Sequence, residues 1–132
     1  MSHATALNPH DRAMFKGNNF GHFVTLMPDG APQVSPVWVD IEDGTCLILV
    51  NTALGRVKTE NVERDPRVAI SVHDQEDPYT MISIRGRVVE ITREGAEAHI
   101  DFLSNKYHGE DYSDHGNRVL LKIAPEHVAR KW

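Results

Sequence analysis

The chain has 132 residues, of which 40% are hydrophobic and 25% are charged, as in an ordinary globular protein of one domain. Its formal net charge of -5, from 19 acidic and 14 basic residues, argues against nucleic acid or an anionic membrane surface as the main partner. The single cysteine, Cys46, cannot form an intrachain disulfide, which fits a reducing compartment. The sequence shows no leader-like segment and no apolar run near the ~20 residues of a membrane span. We therefore expect one domain over residues 1–132, located in the cytoplasm.

The predicted elements begin with a short helix. Asn8 followed by Pro9 is typical of an N-cap and a first helical residue, so we expect a helix that runs through Phe15. Residues 1–7 before this helix are expected to be flexible. From His22 onward the hydrophobic period changes from that of a helix to that of a strand.

Strands joined by short turns dominate the rest of the chain. Apolar runs separated by Gly, Pro, Asp and Asn predict six strands. These runs lie at residues 22–27, 32–41, 46–52, 67–74, 79–92 and 117–128. Gly86 in the longest run predicts a bulge or a barrel corner, and Pro36 predicts an edge strand or a bulge because proline cannot donate to a sheet. The predicted fold is mainly β, a six-stranded antiparallel barrel with a few flanking helices.

Two further helices are predicted between these strands. The longer one follows Thr92, has its apolar residues on a single stripe and ends at Gly109, a residue suited to a left-handed cap. Its stripe consists of Ala96, Ile100, Leu103 and Tyr107. The shorter helix begins near Arg56 and ends at Asp65, because the proline that follows Asp65 disfavours a helical residue before it.

The start of the short helix carries an unusual charge pattern. Arg56 and Lys58 lie where the positive end of the helix dipole disfavours cations. Gly55 before them allows a ligand to approach the backbone closely, and the first helical turn exposes unpaired N–H groups. These features predict an anion site in which a phosphate neutralises both side chains. The alternative is a solvated helix face with local ion pairs, and the pattern alone favours neither interpretation.

Other common site motifs are missing from the sequence. The eight histidines and the single cysteine show no metal-ligand spacing, so no metal site is expected. There is no nucleophile motif and no obvious pair of carboxylates, so no catalytic residue can be named. A flat ring could lie against Ser35, Pro36, Val37 and Trp38, although a plain edge strand is the commoner explanation of this stretch. If the protein is an enzyme, a cofactor must carry the reaction.

Four segments, in matching order and spacing, resemble the deazaflavin-dependent oxidoreductases of the pyridoxamine 5'-phosphate oxidase-like superfamily, whose members are FMN-binding split β-barrels. The segments are PDGAPQVSPVWVD (28–40), VNTALGRVKTENVERDPRVAISV (50–72), PYTMISIRGRVVEIT (78–92) and EGAEAHIDFLSNKY (94–107). The similarity covers about residues 8–128. Within the superfamily the chain is most similar to the B group of flavin/deazaflavin oxidoreductases.

The resemblance implies a split β-barrel homodimer with two clefts at the subunit interface, each binding coenzyme F420. It implies that one group of residues flanks the deazaflavin ring, that another holds the phosphate, and that a third approaches from the partner subunit. The ring group is Ser35, Pro36, Val37, Trp38, Val50, Asn51 and Thr52; the phosphate group is Arg56, Lys58, Thr59 and Asn61; the group from the partner subunit is Tyr79, Thr80 and Met81.

The implied reaction is hydride transfer between the deazaflavin and an electron-poor acceptor such as an enone, a quinone-like ring or a tetrapyrrole. True pyridoxamine phosphate oxidases carry a C-terminal arginine/histidine motif that the sequence lacks, so pyridoxamine oxidation is not expected. Two alternatives stay open. One is a flavoprotein that uses FMN, and the other is a non-catalytic protein that carries or sequesters coenzyme F420.

Overall fold

The computed structural model describes residues 7–130 and contains one antiparallel sheet of seven strands with three helices. The helices are α1 (Pro9–Lys16), α2 (Val57–Arg64) and α3 (Ala96–His108), and the strands are β1 (Phe20–Leu26), β2 (Pro32–Trp38), β3 (Asp40–Ile41), β4 (Ile48–Ala53), β5 (Arg67–His73), β6 (Met81–Thr92) and β7 (Arg118–Ala129). The predicted mainly β fold is confirmed. Residues 1–6, which belong to the segment expected to be flexible, lie outside the described residues.

The order of strands in the sheet forces it to curl. The order is β2-β1-β5-β6-β7-β4-β3, so β2 and β3 form opposite edges. In sequence, however, only Val39 separates these two strands. The two edges must therefore approach each other, and β2 contacts β4 across the opening. The result is the expected split barrel, with seven strands rather than six because the run over residues 32–41 divides into two strands at Val39.

The backbone of Val39 cannot continue either strand, and α3 supplies the missing hydrogen bonds. Val39 is fully buried. Its N–H donates to the Tyr107 hydroxyl at 3.3 Å, and that hydroxyl donates to the Asn19 carbonyl at 2.5 Å. Its carbonyl accepts from Lys106 Nζ at 2.7 Å, and the same ammonium donates to the Phe15 carbonyl at 3.2 Å. Two adjacent side chains of α3 thus close the barrel.

The local signals in the sequence mark the boundaries of the elements correctly. Asn8 caps α1, accepting from the Asp11 N–H at 2.8 Å. Gly109 ends α3 with a φ of 79°, as predicted. Gly86 lies at a register shift between β6 and β7, and a Cβ atom there would lie 2.1 Å from the Ala124 carbonyl oxygen. In residues 7–130, no helix is both long enough and apolar enough to cross a membrane.

Replacing Tyr107 by phenylalanine tests the closure at Val39. The change leaves the buried Val39 N–H and the Asn19 carbonyl without their shared partner, so we expect the free energy of unfolding to fall by about 1–3 kcal/mol. Tyr79→Phe is the matched control because the Tyr79 side chain is exposed, with a relative accessibility of 89%. Urea unfolding measures both. Equal stabilities of the two variants would contradict the role of Tyr107.

The pKa of Lys106 is lowered to about 8, mainly by burial; Asp40 opposes the shift and Lys16 adds to it. Because the unfolded chain then binds more protons at this residue between about pH 8 and about pH 10.5, the free energy of unfolding should rise with pH in that interval. The neutral amine still donates two hydrogen bonds. We expect Lys106→Met to reduce this rise in urea unfolding measured at several pH values, leaving the part that belongs to Lys58, whose pKa is also lowered by burial.

The matched control for Lys106 is Lys122→Met. The pKa of Lys122 is raised by its hydrogen bond to Glu42, so Lys122 loses its proton only above the interval in which Lys106 titrates. The wild type and this control should therefore show the same rise. A Lys106→Met protein that retains the whole rise would contradict the assignment.

Candidate functional site

A cavity of about 600 Å³ lies where the end of β2 meets β4, the start of α2, α3 and the loop before β7. It contains six of the residues that the sequence analysis singled out: Pro36, Val37, Trp38, Asn51, Arg56 and Lys58. The loop between α3 and β7 contributes Glu110, Asp111, Tyr112 and Ser113. The cavity is thus built from segments that are distant in the sequence.

Three cationic side chains line this cavity: Arg56, Lys58 and Arg118. Arg118 retains only 4% of its accessible surface, and in the described part of the chain its buried Nη1 has no hydrogen-bond partner. Burial lowers the pKa of Lys58, and the charges of Arg56 and Arg118 lower it further. Burial also lowers the pKa of Arg118, and the charge of Arg56 lowers it further. A bound anion would relieve these repulsions and could pair with the three cationic side chains that line the cavity.

Arg118 enters the site through the pairing of β4 with β7. It is the first residue of β7 and lies opposite Ala53, the last residue of β4, next to the loop that leads into α2. Its Nε donates to Asn51 Oδ1 at 3.0 Å. Its guanidinium carbon lies 5.2 Å from the centre of the Tyr112 ring, a cation–π contact. The guanidinium is therefore held on two sides.

The first turn of α2 adds backbone donors to the cationic region. Arg56 is the N-cap residue, and its side chain forms no capping hydrogen bond. Gly55 has a φ of +87°, and a Cβ atom there would meet nothing within 4 Å, so the backbone at this point faces open space. The Thr59 hydroxyl donates to the Ala53 carbonyl at 2.8 Å and fixes the helix against β4. This geometry favours an anion at the helix start.

An aromatic cluster forms another part of the cavity wall. Trp38 stacks on Tyr107, with ring centres 5.2 Å apart and planes inclined by 10°. The rings of His108 and Tyr112 contact Trp38 edge-on, at 5.2 and 5.8 Å. Phe20 stacks obliquely on Tyr107, at 5.2 Å. The cavity therefore combines apolar, aromatic surface with a cationic region, which suits a ligand that has a flat ring and an anionic group.

Three of the expected site residues are buried and bonded within the protein. Thr52 and Thr59 form a hydroxyl–hydroxyl contact at 3.3 Å, and both side chains are almost fully buried. The Asn61 amide donates to Thr25 Oγ1 at 2.9 Å, and its oxygen accepts from Arg64. These groups attach α2 to β1 and β4. These three side chains support the segment that carries Arg56 and Lys58, but they do not line the cavity.

The other expected residues lie apart from the cavity lining. Val50 is part of the core and Ser35 is half-buried on β2. Tyr79 and Thr80 belong to the loop before β6, where Thr80 Oγ1 donates to Asp77 at 2.9 Å, and Met81 begins that strand. The sequence analysis missed Arg118 and Tyr112. The only signal for Arg118 is a charge at the start of a strand, directly before three apolar residues.

A family comparison identifies the fold. Residues 7–131 match the model of the family described as pyridoxamine 5'-phosphate oxidase. The chain belongs to this family. The resemblance inferred from the four sequence segments is therefore confirmed. No group of three or more His, Cys, Asp or Glu residues within 7–130 is placed to hold a metal ion.

Solved structures of related proteins share the whole architecture. A protein described as an F420 reductase is 28% identical with a TM-score of 0.82, and the match covers 95% of this chain and 100% of that chain. A conserved hypothetical protein from Mycobacterium tuberculosis is 24% identical with a TM-score of 0.74, covering 95% and 84%. HupZ from group A Streptococcus is 17% identical with a TM-score of 0.68, covering 93% and 92%. The last two show likeness of fold alone.

Proposed function

We propose that this protein is an oxidoreductase that binds coenzyme F420 and serves hydride transfer to or from an electron-poor small molecule. The observation that carries the proposal is that Arg118, whose buried Nη1 has no hydrogen-bond partner among the described residues, lines one cavity with Arg56 and Lys58 beside an aromatic wall. Family membership supports an oxidoreductase. The F420 reductase with matching architecture supports the deazaflavin as cofactor.

The cavity fits a cofactor that carries a phosphate and a flat ring. Its volume of about 600 Å³ lies in the usual range of sites for small molecules and cofactors. Three cations, one of which has an unused donor, suit a phosphate dianion better than a neutral ligand, because the charges of Arg56 and Arg118 already lower the pKa of Lys58 although Glu110 and Asp111 also line the cavity. The same features also suit the phosphate of FMN, which makes an FMN-dependent flavoprotein the second candidate.

The residues of this protein would bind the cofactor and orient its ring. Arg118, Lys58 and Arg56 would pair with the phosphate, and the first turn of α2 would add backbone N–H groups. Pro36 and Trp38 would lie against the ring and exclude water from that side. When bound, the deazaflavin supplies the hydride chemistry. Reaction would then require that the acceptor is held against the ring and that a proton from solvent completes its reduction.

Substitution of the three cations tests the site. Each removes one charge-assisted hydrogen bond, so we expect Arg118→Met to weaken coenzyme F420 binding by about 1.5–3 kcal/mol and Arg56→Ala with Lys58→Ala by about 3–6 kcal/mol, less where solvent screens them. Fluorescence titration with coenzyme F420, and in parallel with FMN, measures the dissociation constants. Arg93→Ala is the matched control because Arg93 is exposed and does not line the cavity.

The outcomes of this titration separate the candidates. Tighter binding of FMN than of coenzyme F420 would favour the flavoprotein, and unchanged affinity in both cavity variants would overturn the site. Selective binding of coenzyme F420 without turnover, for enones, quinones and tetrapyrroles alike, would favour a carrier. Turnover of any acceptor with catalytic amounts of protein would exclude the carrier.

We further propose that two copies form a homodimer in the cytoplasm and that Tyr79, Thr80 and Met81 complete the partner's cleft. The support is an apolar row on the sheet: Val24 lies between Val34 and Ala69 in the register of three adjacent strands. Val34 has a relative accessibility of 59%, which is high for a valine in a strand. A row of this kind on an edge of a sheet is a common site of association.

A charge placed in this row tests the dimer. Val34→Arg would put two like charges near each other in a symmetric interface, so we expect the mass from light scattering to fall from that of a dimer to that of a monomer. Val89→Arg is the matched control, since Val89 has a relative accessibility of 55% and lies beyond the part of β6 that pairs with β5. A wild-type monomer at micromolar concentration would contradict the proposal.

A further inference from the structure

A chain of hydrogen bonds leads from the closure of the barrel to Arg118. Asp40, the residue after Val39, accepts from His99 Nε2 through its Oδ2 at 2.9 Å. The other ring nitrogen of His99 accepts from Asn51 Nδ2 at 3.3 Å. Asn51 Oδ1 in turn accepts from Arg118 Nε at 3.0 Å. Four side chains from β3, α3, β4 and β7 are thereby linked in series.

The order of donors and acceptors fixes the orientation of Asn51. The carboxylate of Asp40 requires a proton on His99 Nε2, which leaves Nδ1 as an acceptor. The Asn51 amide uses its two hydrogens on His99 Nδ1 and on the Ala96 carbonyl, the latter at 2.8 Å. Its oxygen therefore faces Arg118. A flipped amide would place its hydrogens against the guanidinium and its oxygen against a carbonyl, so the chain permits a single arrangement.

Asp40 is suited to be the fixed end of this chain. It retains 4% of its accessible surface. Burial by itself would raise the pKa of Asp40, but the hydrogen bond from His99, the Ile41 N–H and Lys16 together hold the pKa below its ordinary value. The Lys16 ammonium lies 3.2 Å from Oδ1, so the charge is balanced from α1. The carboxylate stays ionised and keeps the proton on His99 Nε2.

We propose that Asp40, His99 and Asn51 are positioning residues that hold the Arg118 side chain in the orientation in which it lines the cavity and can meet an anion there. Neither Asp40 nor His99 lines the cavity, so both act through Asn51. The identity of the anion, the phosphate of coenzyme F420, rests on the proposed function. The chain of hydrogen bonds itself is present in the protein without any ligand.

The orientation matters because the hydrogen bond from Nε to Asn51 is one of the contacts that fix the Arg118 side chain. The charge of Asp114 and the Tyr112 ring both interact with the guanidinium. With Nε released from Asn51, the side chain gains freedom that a ligand must remove again on binding. Loss of the chain should therefore weaken anion binding even where Arg118 itself is retained.

The first experiment uses the protein without cofactor. Long-range ¹H–¹⁵N spectra of the histidine rings should show His99 as the neutral Nε2–H tautomer, and the Arg118 Nε–H should exchange slowly with solvent. In His99→Phe and in Asn51→Ala we expect this exchange to accelerate by roughly tenfold, as expected when one modest hydrogen bond is lost. His115→Gln is the matched control: His115 is bonded to Asp101 at 2.7 Å, on the surface and outside the chain.

The second experiment is a double-mutant cycle on coenzyme F420 affinity. We expect His99→Phe to weaken binding by roughly 5- to 20-fold, and to have no further effect in an Arg118→Met background, because the two changes remove one interaction. His99→Gln, whose amide can donate to Asp40 and accept from Asn51, should restore most of the affinity. Additive effects of His99→Phe and Arg118→Met would overturn the proposal, since a general structural role acts independently of Arg118.

The two hypotheses fail in different ways. A wild-type protein that binds neither coenzyme F420 nor FMN would overturn the proposed function. The exchange rate of the Arg118 Nε–H would still test the chain of hydrogen bonds. An Nδ1–H tautomer of His99, or an exchange rate unaffected by His99→Phe and Asn51→Ala, would overturn the chain even if coenzyme F420 binds tightly. If either His99→Phe or Asn51→Ala fails to fold, the other variant decides the comparison.

Discussion

The passage of the chain through Val39 is the constraint on which the rest of the structure depends. One residue connects the two opposite edges of the sheet, so the sheet can exist only as a curled, nearly closed barrel. The turn leaves a buried N–H and a buried carbonyl outside any strand ladder, and such groups are costly unless they are bonded. Tyr107 and Lys106 provide those bonds from α3, which therefore must pack where the barrel closes.

The same closure creates the candidate site. Because β2 ends at this point, Trp38 lies against Tyr107 and turns its ring toward the loop that follows α3. Because β3 begins there, Asp40 is brought against His99 on α3, and through Asn51 this contact reaches Arg118. The groups that hold the barrel together are therefore close neighbours of the groups that line the cavity.

The cationic region of the cavity opposes stability in the absence of a ligand. Burial lowers the pKa of Lys58 and of Arg118, and the charge of Arg56 lowers both further. Charges held in this way favour the binding of an anion, because the unfavourable free energy of bringing them together is already included in folding. A cluster of like charges with an unused buried donor is therefore better explained by binding than by folding. This contrast is the physical basis for assigning a function to the cavity.

Local sequence by itself determined the features that depend on neighbouring residues: the caps at Asn8 and Gly109, the bulge at Gly86, and the cations at the start of α2. Resemblance to a family added the barrel as a whole. Only the tertiary structure decided that the run over residues 32–41 divides into two strands, and that Arg118 joins the cations of α2. The reason is that an alternating apolar pattern predicts a strand without naming its partner, whereas the site depends on the pairing of β4 with β7 and on the contact of α3 with both edges of the sheet.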